Sequence, residues 1–439
     1  MALRVAAISL GCNKNRVDTE SALGLLKAGG YQLTDREEEA DIILINTCGF
    51  IEAAREESIN MITEMINYKT SGRCRLLIVT GCLAQRYEKE LLEELPEIDI
   101  LLGVNQYASL PAMIEEALKG KRVSRCQDDY SYFEQDRLLT TPFYSAYVRI
   151  GEGCSNRCTF CAIPQIRGPY RSRDEGAVLR EIGTLARGGA REIILVAQDT
   201  TRYGTDHGGP SGLPSLLKKA AATEGVDWLR VLYCYPDETG MDLLDILADT
   251  PGVCPYLDVP IQHISSELLR RMHRRGTRED ILRCVRGARE RGLTLRTSLI
   301  VGFPGETEDQ FRELMDFVEE MEFDRMGAFI YSPEEGTPAA SFPDQVPEEV
   351  KRERLDRLMT LQQKISLKRN QARVGLTEKV LITDTDPVRR LALGRSEREA
   401  PESDGEILIS CKNVQPEIGR FLTVRLTGAE TYDLMGEAL

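Results

Sequence analysis

Through the first 120 residues, short apolar runs alternate with longer amphipathic stretches. The runs are Val5–Leu10, Asp41–Asn46 and Leu76–Thr80, and helical periodicity occupies 16–28, 52–66, 85–95 and 108–119. Strands without polar alternation, separated by helices, belong to parallel sheets covered on both faces. Residues 1–120 are therefore expected to form an open parallel α/β domain. Residues 121–142 read as a linker, with the polar, aromatic-spotted Gln127-Asp128-Asp129-Tyr130-Ser131-Tyr132-Phe133 and then Thr140-Thr141-Pro142.

The alternation resumes at 143 and repeats six times, with strands near Ala146–Ile150, Glu192–Ala197, Leu229–Tyr233, Tyr256–Pro260, Thr294–Ile300 and Arg325–Tyr331. The strongest helical patterns lie at 175–187, 279–290 and 306–320. Six units are too few for a closed eight-stranded barrel and suit a partial (β/α)6 barrel, whose chemistry gathers at the C-terminal strand ends. A charged helix follows near 347–372, with Leu355, Leu358, Met359 and Ile365 on one stripe, so the second domain spans 143–371. From 372 to 439 the pattern changes to Val380–Thr383, Glu406–Ile409 and Phe421–Leu426, separated by Gly, Pro and Asp. That is the signature of a small all-β barrel. The whole is an α/β multidomain chain.

At 439 residues the length exceeds the ~150 of one typical domain, and 42% hydrophobic against 29% charged residues supplies real cores. No run approaches the ~18 apolar residues of a membrane span, and Val5–Leu10 is too short for a signal-peptide core. A cytosolic protein is expected, where clustered thiols bind metal more often than they pair. A net charge of −14 argues against bulk attraction to nucleic acid. From Ala372 onward nine Lys/Arg stand against twelve Asp/Glu, a net of −3, so the β-barrel lacks a basic footprint.

Twelve cysteines against three histidines is the unusual feature. Gly153-Cys154-Ser155-Asn156-Arg157-Cys158-Thr159-Phe160-Cys161 is a C-x3-C-x2-C loop directly after the first barrel strand. Three thiolates on one tight loop can hold three irons of a cubane and leave the fourth open for an exchangeable ligand. Zinc is the alternative, but it needs a fourth ligand, and the nearest histidine, His207, is forty-six residues past Cys161. A second triplet is dispersed. Cys12, Cys48 and Cys82 are 36 and 34 residues apart, each just past a parallel strand. If those strands are neighbours, the thiols converge at one sheet edge, where open α/β folds bind ligands. Three independent buried thiols are the alternative.

The C-x3-C-x-aromatic-C loop after the first strand of a partial barrel resembles that of radical S-adenosylmethionine (SAM) enzymes. With the N-terminal three-cysteine domain and the C-terminal β-barrel, nearly the whole chain is similar to the radical-SAM methylthiotransferases, and the barrel to their TRAM domain. The resemblance implies two 4Fe-4S clusters, one on Cys154, Cys158 and Cys161 and one on Cys12, Cys48 and Cys82. It implies that one SAM donates a methyl group to sulfur on the N-terminal cluster. A second is cleaved to a 5′-deoxyadenosyl radical that abstracts hydrogen from an unactivated C–H bond. An electron donor such as flavodoxin or ferredoxin is implied as well.

Within that family, some enzymes modify an adenosine of tRNA. The RimO type methylthiolates the β-carbon of an aspartate in the small-subunit ribosomal protein twelve. Ser9–Glu20, Ala162–Arg173 and Trp228–Pro236 resemble the RimO type. The tRNA enzymes have a Ser-His-Pro-like end to the third barrel strand, where this chain has Tyr233-Cys234-Tyr235-Pro236. The acidic tail fits a basic protein substrate better than tRNA, which remains the alternative. Gln198, Gln262 and Gly302, at the ends of the second, fourth and fifth barrel strands, are candidate SAM contacts by position. Arg167, Arg171 and Arg173 could clamp a carboxylate of SAM or of the target aspartate. Cys74, Cys126, Cys234, Cys254, Cys284 and Cys411 read as structural thiols, and His263 as a hydrogen-bonded strand-end residue.

Overall fold

The computed structural model describes residues 2–127, 134, 136–412 and 414–439. Asp128–Phe133 of the linker stretch lie outside the described residues. The N-terminal unit runs β1 (Arg4–Ser9), α1 (Asn13–Ala28), β2 (Gln32–Leu33), β3 (Ile42–Thr47), α2 (Glu52–Thr70) and β4 (Leu76–Gly81). It continues through α3 (Cys82–Arg86), α4 (Glu88–Glu94), β5 (Ile100–Leu102), α5 (Leu110–Ala117) and β6 (Val123–Arg125). The sheet has the order β2-β1-β3-β4-β5-β6, and all its pairings are parallel. Every residue of β3 and β4 is buried, because helices cover both faces. Ile42, Leu44 and Ile78 pack on one side, and Ile43, Ile45, Leu77 and Val79 on the other. The sequence pattern missed β2, β5 and β6, which at two or three residues are too short to show a period. It also read one helix over 85–95, where the chain breaks at Tyr87 between α3 and α4.

The second unit starts with β7 (Ser145–Arg149). A short antiparallel pair, β8 (Gly151–Glu152) and β9 (Arg171–Ser172), then brackets the cysteine loop and α6 (Ile163–Arg167). After it come α7 (Glu175–Arg187), β10 (Glu192–Val196), α8 (Leu213–Ala221), β11 (Trp228–Val231), α9 (Met241–Asp249) and β12 (Tyr256–Asp258). The unit ends with α10 (Ser266–Arg271), α11 (Arg278–Glu290), β13 (Thr294–Val301), α12 (Glu308–Met321), β14 (Arg325–Ile330) and α13 (Glu348–Gln371). The six long strands form two parallel ladders, β7-β10-β11 and β12-β13-β14. At the seam, the Asp258 carbonyl accepts the Cys234 N–H at 2.9 Å and its carboxylate accepts the Tyr233 N–H at 2.8 Å. A side chain therefore stands in for part of the ladder in this open (β/α)6 barrel. The helix expected to begin at 306 is capped one residue later, by the Thr307–Gln310 capping box.

The C-terminal unit is a closed barrel of β15 (Thr377–Asp386), β16 (Leu391–Ser396), β17 (Ile407–Ser410), β18 (Phe421–Ala429) and β19 (Leu434–Ala438). The sequence pattern missed β16 and β19, whose apolar runs are diluted by Gly394, Arg395, Gly436 and Glu437.

Buried ion pairs dock this barrel on the second unit. Glu192 on β10 receives Arg230 at 3.1 Å and Arg395 at 2.7 Å, and Glu399 receives Arg325 at 3.1 Å and also Arg373. Burial opposes the Glu399 carboxylate, but Arg373 and Arg325 outweigh it and hold its pKa at about 2, against an ordinary 4.5. A depressed carboxyl pKa contributes stability in full above the unfolded value and loses it as pH falls toward the folded one. Unfolding free energy followed by denaturant titration is expected to drop between pH 5 and pH 2, by on the order of 3 kcal/mol from this group. Glu399→Gln should flatten that slope. An unchanged slope would show that the pair does not couple folding to pH.

Candidate metal centre

β1, β3 and β4 are consecutive neighbours, and Ser9, Asn46 and Thr80 sit level across them. Cys12, Cys48 and Cys82 follow within three residues of that line, so the dispersed triplet does converge. Two glycines permit the approach. Gly11 has φ +84°, and a Cβ there would lie 2.7 Å from Cys48 Cβ and 3.0 Å from its sulfur. Gly81 has φ +99°, and a Cβ there would overlap Asn46 Oδ1. Asn15 ties the three loops together. Its Nδ2 donates to the carbonyls of Leu10 at 3.1 Å and Thr47 at 3.0 Å, and its Oδ1 accepts from the Cys82 thiol at 3.5 Å.

The charges around these thiols are positive. Cys12 caps the N-terminus of α1, where the helix dipole favours a thiolate. Burial opposes that thiolate, but Lys14, Arg167 and the backbone N–H groups of Asn15 and Lys14 outweigh it, and its pKa is lowered. Cys12 is surrounded by protein yet keeps solvent-accessible surface, whereas Cys48 and Cys82 are buried. Burial pushes Cys82 up to about 12 against the pull of Arg167, and raises Cys48 as well.

The second triplet lies at the C-terminal end of β7. The Cys154 N–H donates to the Gly168 carbonyl at 3.0 Å and the Cys161 N–H to the Cys158 carbonyl at 3.0 Å. Asn156 is held by the Asp199 carboxylate at 2.9 Å. Arg274 is buried with Nη1 3.9 Å from Cys158 Sγ and its guanidinium 3.9 Å above the Tyr235 ring. Burial pushes Cys154 up to about 11 and Cys161 further.

The triplets face each other across a buried polar seam. Cys82 packs with Ala162 and Ile166, just beyond Cys161. Arg167, 1% exposed, reaches back into the N-terminal unit. Its Nη2 donates to Asn15 Oδ1 at 2.6 Å and Asp18 Oδ2 at 2.9 Å and lies 3.6 Å from Cys82 Sγ, while Nη1 donates to Glu152 at 3.0 Å. Arg149 pairs with the same two carboxylates. The end of the third barrel strand touches both sides: Lys14 stands 3.5 Å above the Tyr233 ring, and Tyr235 carries Arg274.

No sequence spacing pointed to Arg274, Lys14, Asn15 or Asp18. Arg167 and Arg173, read as a possible carboxylate clamp, are instead committed to internal carboxylates, Arg173 to Glu134 and Glu181. Arg171 donates to the Pro169 carbonyl at 2.7 Å.

The SAM candidates differ in their surroundings. Gln198 donates to Glu152 at 3.0 Å beside the cysteine loop, and its buried Oε1 has no hydrogen-bond partner among the described residues. Gln262 lies in the left-handed region at φ +70° and bridges to the β13 backbone. The space beside Gly302 is filled by the Lys351 side chain, and its neighbour Phe303 packs edge-on against Phe160 of the loop, with centroids 6.5 Å apart. His263 is fully buried, with Nε2 3.2 Å from Glu306 and Nδ1 accepting the Ser265 N–H. Cys74, Cys234, Cys254, Cys284 and Cys411 are buried in the cores, and Cys126 packs against one of them.

Each triplet offers three thiols, the number that would hold three irons of a cubane and leave the fourth open. All twelve cysteines are free thiols, and among the described residues no three His, Cys, Asp or Glu side chains group tightly enough to hold a single metal ion. Zinc with bonds of about 2.3 Å would need its sulfurs within ~4.6 Å of each other. Buried thiols that resist ionisation this strongly become thiolates when a metal supplies the charge.

Three family models match the chain in order: "Uncharacterized protein family UPF0004" over residues 4–103, the radical SAM superfamily over 148–318 and the TRAM domain over 374–439. A ribosomal protein uS12 methylthiotransferase RimO from Heliobacterium modesticaldum is 49% identical over 443 residues, covering 100% of this chain and 96% of that protein. The chain belongs to the RimO family of methylthiotransferases. The namesake from Desulforamulus reducens is 48% identical over 99% of both chains. The fold is also similar to that of the radical SAM methyltransferase TsrM of Kitasatospora setae, at TM-score 0.56 and 15% identity over 88% of this chain and 79% of that one. This RimO-family chain is a radical-SAM methylthiotransferase with an iron–sulfur centre and SAM as cofactors. No helix among its described residues is long and apolar enough to cross a membrane.

Proposed function

We propose that the chain transfers a methylthio group to the β-carbon of an aspartate in ribosomal protein uS12, in the cytosol. In this reading Cys154, Cys158 and Cys161 hold one 4Fe-4S cluster and Cys12, Cys48 and Cys82 a second. Flavodoxin or ferredoxin supplies electrons, and the domains divide at 1–120, 121–142, 143–371 and 372–439. When bound, the clusters and SAM supply the radical and the sulfur that the side chains cannot.

The observation that carries this reading is the packing of Cys82 on Ala162 and Ile166, just beyond Cys161. That packing brings one thiol of the N-terminal set next to the loop that carries the other set, as a reaction drawing on both requires. Cys12, flanked by Lys14 and Arg167, is held toward its thiolate form, and a thiolate is the form that binds metal. Gln198, anchored by Glu152 with a free buried oxygen, offers an acceptor to the amino group of SAM. Gln262 and Gly302 border the same rim. The acidic surface, net −14, favours a basic protein partner over tRNA.

The test presents reconstituted, reduced enzyme and SAM with uS12 and with tRNA separately, each followed by mass spectrometry. A methylthio mass gain on uS12 alone is expected. Modified tRNA with unmodified uS12 would overturn the substrate assignment, and stoichiometric zinc without iron would overturn the clusters.

A further inference from the structure

Residues 270–278 hold five arginines and no carboxylate on a chain of net −14. The run is built onto the outer side of the Cys154–Cys161 loop. The Met272 carbonyl accepts the Thr159 N–H at 2.9 Å, and the Arg271 carbonyl accepts the Thr159 hydroxyl at 3.0 Å. His273 Nδ1 lies 3.0 Å from the Arg157 carbonyl oxygen; a carbonyl cannot donate, so the imidazole carries its proton on Nδ1.

Arg157, Arg270 and His273 are all exposed. Arg270 donates only to the Ser266 carbonyl of its own helix, and neither Arg270 nor Arg157 makes an ion pair among the described residues. Arg157 at φ +52° and His273 at φ +51° both occupy the left-handed region, uncommon outside glycine, and each braces the other through their hydrogen bond. The surroundings thus hold two strained residues at the surface beside Cys158. The other arginines of the run are occupied: Arg271 lies 3.7 Å from Asp344, Arg274 is buried against Cys158, Arg275 is matched by Asp237 and Glu238, and Arg278 by Glu313, so the free charge of this face is that of Arg270 and Arg157.

We propose that Arg157, Arg270 and the His273 edge form the docking face for an acidic one-electron carrier protein that reduces the centre on Cys154, Cys158 and Cys161. The proposal rests on the cluster assignment above. Unpaired surface cations beside the cysteine loop of an otherwise acidic protein attract an acidic partner there, and long-range attraction raises the encounter rate. The path inward is short: from the exposed His273 ring through one hydrogen bond to the Arg157 carbonyl, then across one peptide to Cys158. One electron leaves the carrier, which is oxidised by one, and the iron–sulfur centre is reduced by one. No bond or proton moves. The phosphates of ribosomal RNA carry the same sign as the carrier, but RNA gains nothing from a site hydrogen-bonded to the cysteine loop.

Stopped-flow mixing of reconstituted enzyme with reduced flavodoxin, followed by bleaching of the cluster absorbance, tests this. Arg270→Glu and the double variant Arg157→Glu/Arg270→Glu are compared with wild type at low and raised salt, after matching iron content. The double variant is expected to lose at least ~10-fold in the second-order rate constant at low salt, and the wild-type rate should fall toward it as salt rises. Reduction of Arg270→Glu by dithionite should match wild type. Unchanged reduction by flavodoxin would overturn the proposal, as would an equal loss with dithionite. Unchanged reduction with weakened ribosome binding would assign the face to RNA and also overturn it. Wild-type protein that takes up no iron would overturn the cluster assignment along with it, and the iron assay distinguishes that from a failure of docking alone.

Discussion

Alanine at Cys158 is expected to end reductive cleavage of SAM. Alanine at Cys48 is expected to leave cleavage in place and end methylthio transfer. Both follow from the separation of the triplets onto different strand ends, one beside Arg274 and Tyr235 and the other beside Asn15 and Gly11. Each set has only three thiols, so losing one leaves two, and the effect should exceed the ~100-fold that loss of an outer hydrogen-bond partner costs a metal site. Iron analysis should show about four irons lost in either variant, one cluster each. Formation of 5′-deoxyadenosine reads the first activity, and mass gain on the acceptor reads the second. Cys48 is buried beside Gly11, so Cys48→Ser provides a size-matched control for folding. If the Cys48 variant still transferred methylthio groups, the N-terminal triplet would not hold a reacting cluster.

Replacing Arg167 with Met should destabilise the metal-free protein by about 3–5 kcal/mol, the cost of leaving a buried charge without its partner. The seam holds two carboxylates, Asp18 and Glu152, and two guanidiniums, Arg149 and Arg167, all but excluded from water. Removing Arg167 leaves one negative charge uncompensated. Glu152 has its pKa held at about 2; burial opposes the carboxylate and Arg167 is the largest influence favouring it. Without Arg167 the carboxylate would take up a proton at a higher pH. Arg167→Lys restores the charge but not the fork that reaches Asn15, Asp18 and Glu152 together, so only partial recovery is expected. Adding Asp18→Asn to Arg167→Met should recover part of the loss, because it removes the orphaned charge. Denaturant unfolding of the iron-free protein compares the three variants with wild type. A loss below ~1 kcal/mol for Arg167→Met would mean that water reaches the seam and the charges are screened.

The same residue marks where sequence reading stopped. Arg167 was legible only as one arginine in a run of three, with a carboxylate of SAM or substrate as its imagined partner. Its actual partner, Asp18, is 149 residues away in sequence. Gly302, a SAM candidate by strand order, also abuts Lys351 of α13, a contact between residues 49 positions apart that no local pattern shows. Arg149, Glu192 and Arg230 lie inside strands read only as apolar runs, and their charges are absorbed by pairs that no local period reveals.

What the sequence determined by itself is what local spacing encodes. The C-x3-C-x2-C loop, the 36- and 34-residue intervals that match one strand–helix–strand unit each, and the change from helical to β-rich periodicity near 372 are all properties of adjacent residues. The tertiary structure alone decided that β1, β3 and β4 are neighbours, which turns three scattered thiols into one set. It also decided that this set abuts the loop of the other. Strand order and domain docking are set by burial of apolar faces and by ion pairs between residues far apart in the chain, and a linear pattern carries no distance between them.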